Sequence, residues 1–115
     1  MGEAIIRERD LTADWGAVEV SGDVDLAVAH RLQRALDQAG ERHEVVAVEL
    51  EGCEFIDSTG IAVLVRAQLK LQKAGKRLLL CAPSRPVRRV MEIAGLIQEG
   101  MVFRSLGAAL AAERV

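Results

Sequence analysis

Two spacings of apolar residues run along the chain, and together they divide it into strands and helices. Short alternating or continuous apolar runs bounded by Gly, Asp or Ser predict strands, whereas apolar residues spaced by three and four predict amphipathic helices. The pattern predicts the element order ββαβαβαβα. The five strands are expected at residues 4–8, 15–20, 45–50, 78–82 and 101–103.

The predicted strands differ in the polar residues that interrupt or follow them. The first two are typical of an antiparallel hairpin, and Ser21, Gly22 and Asp23 are expected to break the second strand. The third strand is almost entirely apolar, which is typical of a central strand covered by helices. A sharp polar link over residues 51–56 is expected to follow it.

Side chains suited to helix ends flank each helical stretch. Expected N-caps are Asp25, Asp57 or Ser58, Ser84 and Ser105. The first three helices are expected to end at Gly40, Gly75 and Gly95. The side chains expected to face the core from the first and third helices are Leu26, Ala29, Leu32, Leu36, Ala39, Val87, Val90, Met91 and Ala94.

The order of the elements defines the fold class. A strand, a helix and a following strand form a right-handed crossover, which makes the third and fourth strands parallel. We therefore expect one α/β domain over residues 1–115. Its mixed sheet has about five strands, with an N-terminal antiparallel hairpin and parallel inner strands, and about four α-helices pack on it.

Composition narrows the classes of function. Half of the 115 residues are hydrophobic but only 3% are aromatic, so the core is aliphatic and base stacking has little to use. The net charge is −2 with acids and bases interspersed, which argues against direct nucleic-acid binding and membrane binding. Without a signal peptide, a long apolar run or a C-x-x-C unit around Cys53 and Cys81, the sequence indicates a cytoplasmic protein with reduced thiols.

No catalytic arrangement emerges from the residues. A Ser nucleophile at Ser58 needs a base, and His30 and His43 fall on the first helix and in the loop before the central strand. No Cys, His and carboxylate spacing indicates a metal site, and Gly22 and Gly60 belong to no phosphate loop. We therefore expect no catalytic residue, no metal and no cofactor.

The stretch Asp57-Ser58-Thr59-Gly60 is the strongest candidate for function. It places two hydroxyls at the start of a helix, just past the end of the central strand, where ligands gather in open α/β sheets. A phosphate on Ser58 would be stabilised there by about 0.3–1 kcal/mol. The residues alone leave two interpretations open: hydroxyls that only cap the helix, or a phosphorylation site whose charge alters a binding surface.

From Ala17 onward the chain resembles a STAS domain of the anti-sigma factor antagonist type. The most specific match is the block from Phe55 to Gly60 that contains Asp57-Ser58-Thr59-Gly60. The remaining matches are Gly22-Asp23-Val24-Asp25, Ala74-Gly75-Lys76, Val87-x-x-Val90-x-x-x-Ala94-Gly95-Leu96, and Phe103-x-Ser105-Leu106 followed by Ala108-Ala109-Leu110.

The resemblance implies a partner-switching regulator rather than an enzyme. In that family the unphosphorylated antagonist binds an anti-sigma factor that is also a serine kinase, and so frees the sigma factor. Phosphorylation releases the antagonist, and a Ser/Thr phosphatase resets it. Ser58 would be the phosphoacceptor and Thr59 a second candidate acceptor, in a monomer or weak dimer. The expected partner-binding residues are Ser21, Gly22, Asp23, Asp25, Asp57, Ser58, Thr59, Gly60, Ala62, Val63 and Arg66. Val63 is included because, between Ala62 and Ala67, it is expected to face away from the core stripe of the second helix.

Two other functions remain as alternatives. A scaffold or transport-associated STAS module would use the same block to hold a partner constitutively. A small nucleotide-binding or hydrolytic protein would use the start of the Ser58 helix to bind phosphate, although the chain offers no general base for it.

Overall fold

A computed structural model describes residues 4–113 and confirms the expected element order. The strands are β1 (Ile5–Asp10), β2 (Trp15–Val24), β3 (Val45–Ile56), β4 (Arg77–Cys81) and β5 (Val102–Phe103). The helices are α1 (Leu26–Arg42), α2 (Ser58–Lys73), α3 (Arg85–Ile93) and α4 (Leu106–Glu113).

The five strands form one mixed sheet in the order β1-β2-β3-β4-β5. β1 pairs antiparallel with β2, and every later pairing is parallel, as expected. The larger hydrophobic cluster joins one face of the sheet to α1, α2 and α3, through side chains such as Leu32, Leu64 and Met91. A smaller cluster on the other face includes Ala109 of α4. The fold is therefore the predicted α/β class, with its sheet between two layers of helix.

Two strands are longer than predicted, and both extensions carry the candidate site. β2 continues through Ser21, Gly22 and Asp23 because the pairing register with β3 shifts at two points, with Gly22 at a φ of 82°. Such bulges accommodate polar, irregular residues without ending the strand. β3 likewise continues through residues 51–56, so the polar link predicted there is wrong.

The first helix also runs further than predicted, past Gly40 to Arg42. Gly40 lies inside the helix and does not end it. Its lack of a side chain lets α1 pack close to α2, since an added Cβ would lie 3.1 Å from Leu71 Cδ2. The helix ends instead at His43, whose N–H donates to the Ala39 carbonyl at 3.0 Å. The His43 ring is buried, with Nε2 at 2.7 Å from Asp10 Oδ1.

Three side chains expected in the core are exposed. Leu26, Val90 and Ala94 face outward, whereas the other predicted core residues of α1 and α3 are buried. At 100° per residue, Leu26 lies far from the centre of the buried stripe of α1. The buried face of α3 is narrow, because Val87 and Met91 are its only buried residues.

Candidate partner-docking site

The starts of α1 and α2 lie side by side at one end of the sheet. β2 and β3 are parallel neighbours, and Val24 pairs with Ile56 at their last residues. The Asp57 N–H donates to the Val24 carbonyl at 3.0 Å, which joins the two turns directly. Asp25 caps α1 and Asp57 caps α2, so two aspartate-capped helices open toward the same surface.

The Asp57 carboxylate organises the start of α2. Its Oδ1 accepts hydrogen bonds from the Thr59 hydroxyl at 2.5 Å, the Thr59 N–H at 3.0 Å and the Gly60 N–H at 3.1 Å. The Thr59 hydroxyl makes the largest contribution to holding the pKa of Asp57 below its ordinary value, and the two backbone donors lower that pKa further. Asp57 is therefore the N-cap, and it is held as the carboxylate.

The two hydroxyls of the motif differ in their surroundings. Ser58 is exposed, and no hydrogen bond within residues 4–113 engages its hydroxyl. Thr59 is half-buried, and its hydroxyl donates to Asp57. Ser58 can therefore present its oxygen to a partner without disturbing the fold, whereas Thr59 can do so only by giving up its hydrogen bond to the Asp57 carboxylate.

Gly60 is buried and has a packing role. A Cβ at this position would lie 2.6 Å from Ile56 Cγ1 and 2.8 Å from Val24 Cγ1. Real Cβ atoms do not approach other atoms so closely, so the start of α2 can rest on the ends of β2 and β3 only with glycine here. Gly60 was expected to contact a partner, but its burial leaves it inaccessible.

The other predicted docking residues are only partly brought together. Ser21, Gly22 and Asp23 lie half-buried in the bulged end of β2 rather than in a loop, and Asp25 is exposed beside them. On α2, Ala62 is half-buried and Arg66 is exposed. These residues, with Asp57, Ser58 and Thr59, can contribute to one surface.

The prediction that Val63 faces away from the core is wrong. Its side chain is only 3% exposed and belongs to the main hydrophobic cluster. The reason is the position of α1, which packs beside α2 and brings Leu36 to the side of α2 that carries Val63. The sequence pattern of α2 gives the face toward the sheet but does not show that a second face meets a neighbouring helix.

Two exposed apolar residues at the site were not expected to contribute to it. Leu26, the first residue of α1, and Phe55, near the end of β3, are both exposed beside the capping aspartates. The same strand ends carry the carboxylates of Asp23 and Glu54. The surface around Ser58 therefore combines exposed apolar side chains with negative charge.

His43 is not placed to act on Ser58. His43 precedes β3 and Ser58 follows it, so the length of the strand separates them, and His30 lies exposed on α1. Among residues 4–113 no group of three or more His, Cys, Asp or Glu side chains is arranged to hold a metal ion. None of the helices in this range has the length and apolar content needed to span a bilayer.

Replacing Asp57 by Ala should destabilise the protein by about 0.5–2 kcal/mol, because the first N–H groups of α2 lose their acceptor. Asp57→Asn, which keeps an acceptor oxygen, should lose less. Urea unfolding of the three proteins at neutral pH measures the difference, and equal unfolding midpoints for wild type and Asp57→Ala would contradict the capping role.

The same series has an expected pH dependence. Because the pKa of Asp57 is lowered in the folded state, its stabilisation is complete above the ordinary carboxyl pKa and is lost as the pH falls through the lower folded value. The advantage of wild type over Asp57→Asn should therefore shrink below about pH 4. An advantage that stays constant from pH 7 to pH 3 would assign the effect to something other than the charge.

The sheet and its helices define a small α/β domain, and comparison with known proteins identifies its family. The profile of the family described as Mlab, STAS domain matches residues 8–104, so the chain belongs to the STAS domain family. An anti-sigma-B factor antagonist from Listeria monocytogenes is 32% identical over 92 residues, which are 79% of each chain.

Two solved structures of differently named proteins share the fold of this chain. An anti-sigma factor antagonist from Mycobacterium paratuberculosis superposes with a TM-score of 0.85 at 24% identity, covering 98% of this chain and 96% of the other. A sulfate transporter family protein from Wolinella succinogenes superposes with a TM-score of 0.79 at 28% identity, covering 92% and 89%. The resemblance inferred from the Asp57-Ser58-Thr59-Gly60 block is thus confirmed.

Proposed function

We propose that this protein is an anti-sigma factor antagonist whose binding is controlled by phosphorylation of Ser58. The observation that carries the proposal is the exposed Ser58 hydroxyl at the start of α2, unengaged by the rest of residues 4–113. The Listeria relative, which is named as an anti-sigma-B factor antagonist, supports the class of partner. The unphosphorylated protein binds an anti-sigma factor and so releases the sigma factor.

The local structure favours Ser58 over Thr59 as the phosphoacceptor. Phosphoryl transfer requires the acceptor oxygen to approach an incoming phosphate in line with the leaving group. The Ser58 oxygen is free to do so, whereas the Thr59 hydroxyl donates to the Asp57 carboxylate. Phosphorylating Thr59 would convert this contact into repulsion between two anions and uncap α2.

A phosphate on Ser58 changes the surface more than the fold. The start of α2 supplies a favourable dipole, so the added charge costs the folded domain little. The surrounding carboxylates of Asp23, Asp25, Glu54 and Asp57 already make this surface negative. A dianion added at its centre must lose its hydration wherever a partner covers Ser58, and this loss weakens binding.

The partner is an anti-sigma factor that is also an ATP-dependent serine kinase, and a Ser/Thr phosphatase restores the unmodified form. The protein itself is a substrate and a binding module in the cytoplasm rather than an enzyme. The position of His43 at the opposite end of β3 from Ser58 supports this assignment, because that histidine cannot take the proton of the hydroxyl.

Incubation with ATP and each anti-sigma factor kinase of the same genome tests the proposal. Mass spectrometry should place one phosphate on Ser58. The Ser58→Ala variant should take up none, and Thr59→Val should still be modified. A phosphate found only on another residue, or none with any of these kinases, would refute control through Ser58.

A transport-associated STAS module is the second candidate, favoured by the 28% identity to the Wolinella sulfate transporter family protein. In that case the same surface holds its partner constitutively. Cells would then contain the protein without phosphate on Ser58, and Ser58→Ala and Ser58→Glu would retain the same partner in a pull-down.

A further inference from the structure

A polar cavity lies toward the end of α2 that is away from Ser58. Its volume is about 240 Å³, and its wall is formed by the last turns of α2, the start of β4 and the loop that precedes β5. Gln68 is the first residue of α2 that lines it, and at 1.5 Å per residue it lies about 15 Å from Ser58 along the helix axis. The cavity is therefore separate from the capped start of α2.

Gln68 is the unusual residue of this cavity, because it is a polar side chain at a core position. It falls between Leu64 and Leu71 on the buried side of α2 and is only 8% exposed. Within residues 4–113 its side chain makes one hydrogen bond, from Nε2 to Met101 Sδ at 3.6 Å, and a thioether is a weak acceptor. Its Oε1 accepts no hydrogen bond from these residues, which is costly for a buried carboxamide.

The Oε1 atom of Gln68 is reachable from the cavity. Among residues 4–113, every fully enclosed side-chain nitrogen or oxygen has a hydrogen-bond partner, so an oxygen without one must border open space. The open space beside Gln68 is the cavity that it lines. A small polar molecule bound there can supply the hydrogen bond that the core does not provide.

The other polar side chains of the cavity carry both signs of charge. They are Gln72, Lys76, Arg77, Gln98 and Glu99. Lys76 and Glu99 form no salt bridge within the described part of the chain, although Lys76 Nζ donates to the Gly40 carbonyl at 2.6 Å. Arg77 pairs with Glu113 through one of its nitrogens. A molecule that carries both a carboxylate and an ammonium group therefore meets a side chain of opposite charge for each.

The loop that closes the cavity is held in place by the sheet. The Leu80 N–H of β4 donates to the Met101 carbonyl at 2.8 Å, and the Met101 N–H donates to the Gln98 carbonyl at 3.2 Å. The residues of this wall are thus positioned before any ligand arrives. Binding to a preformed site avoids the entropic cost of ordering a loop.

We propose that this cavity binds a free α-amino acid. Lys76 and Arg77 bind the carboxylate, and the ammonium group donates to Gln68 Oε1 and to the Glu99 carboxylate. The volume of about 240 Å³ is below the roughly 300–1,000 Å³ of pockets for drug-sized ligands, which limits the occupant to a molecule of this size. This site is independent of Ser58 and of the partner that binds there.

Titration of the purified protein with each of the common L-amino acids tests the proposal. At least one should shift the amide NMR signals of Gln68, Gln98 and Gly100 in a saturable way and raise Tm. Its analogue without the ammonium group, and its analogue with an amide in place of the carboxylate, should each bind roughly tenfold to a hundredfold more weakly. Each analogue leaves one charge of the cavity without its partner.

Gln68→Leu separates ligand binding from folding. It places an apolar side chain of similar size at a core position, so Tm should stay the same or rise while the affinity for the amino acid falls roughly tenfold. Glu99→Gln changes only an exposed side chain and should also weaken binding. Gln38→Leu is the matched control, because Gln38 is exposed on α1, and it should bind as wild type does.

Three outcomes would overturn the amino-acid site. They are the absence of saturable binding by any amino acid, equal affinity of wild type with both Gln68→Leu and Glu99→Gln, and saturable binding of a nucleoside or a sugar alone at the same residues. Phosphorylation of Ser58 does not enter these measurements, so each of these outcomes leaves the proposed function intact.

Discussion

Ser58→Glu should bind the anti-sigma factor several-hundredfold more weakly than the wild-type protein. The substitution places a permanent carboxylate at the exposed start of α2, in a surface that already holds Asp23, Asp25 and Asp57. Removing such a charge from water without a compensating hydrogen bond costs roughly 3–4 kcal/mol, which corresponds to that loss of affinity. Calorimetric titration with the purified kinase measures it.

Ser58→Ala is the matched control for this variant. It removes a hydroxyl that no group within residues 4–113 engages, so folding and affinity should stay close to those of wild type. It should also stay bound when ATP is added, whereas wild type should dissociate as it is phosphorylated. Equal affinity of the Glu and Ala variants would show that charge at this position does not control the complex.

Gly60→Ala should destabilise the protein by about 1–3 kcal/mol and lower Tm by several degrees. The added Cβ would lie 2.6 Å from Ile56 Cγ1 and 2.8 Å from Val24 Cγ1, and both of these side chains are fully buried and cannot move aside. The start of α2 must therefore shift away from the sheet. Differential scanning calorimetry measures the loss of stability.

Gly107→Ala is the control for Gly60→Ala. Gly107 is exposed in α4, where the nearest atom to an added Cβ is Ser105 Oγ at 3.8 Å. Alanine is the better helix former, so this variant should gain up to about 1 kcal/mol. If the two variants shifted Tm in the same direction, the close packing around Gly60 would not be the reason that this position requires glycine.

Local sequence signals were sufficient to locate the starts of the helices. Asp25, Asp57 and Ser84 each accept a backbone N–H at the predicted position, because capping is a contact between residues two or three apart. The ends of β2 and β3 were not predictable in the same way. Their pairing depends on a neighbouring strand distant in sequence. The polar residues of the bulge at Gly22 also break the apolar alternation from which the end of β2 was predicted.

The site was predicted as far as local chemistry defines it. The positions of Asp57 and Ser58 follow from the motif, and the structure finds Ser58 exposed at a helix start. Val63 was misplaced because its burial depends on α1 packing beside α2, which the spacing within α2 does not reveal. Leu26 was assigned to the core because its apolar character outweighed its angular position on α1.

A group of ionic contacts lies at the end of the molecule away from Ser58. There Arg42 contacts Glu8 and Asp10, and His43 contacts Asp10, which ties β1 to the end of α1. At the other end, the carboxylates of Asp23, Asp25 and Glu54 form no salt bridge within residues 4–113. Gene duplicates can therefore acquire new partners by changing these acids, provided that Asp57 and Gly60, which fix the start of α2, stay as they are.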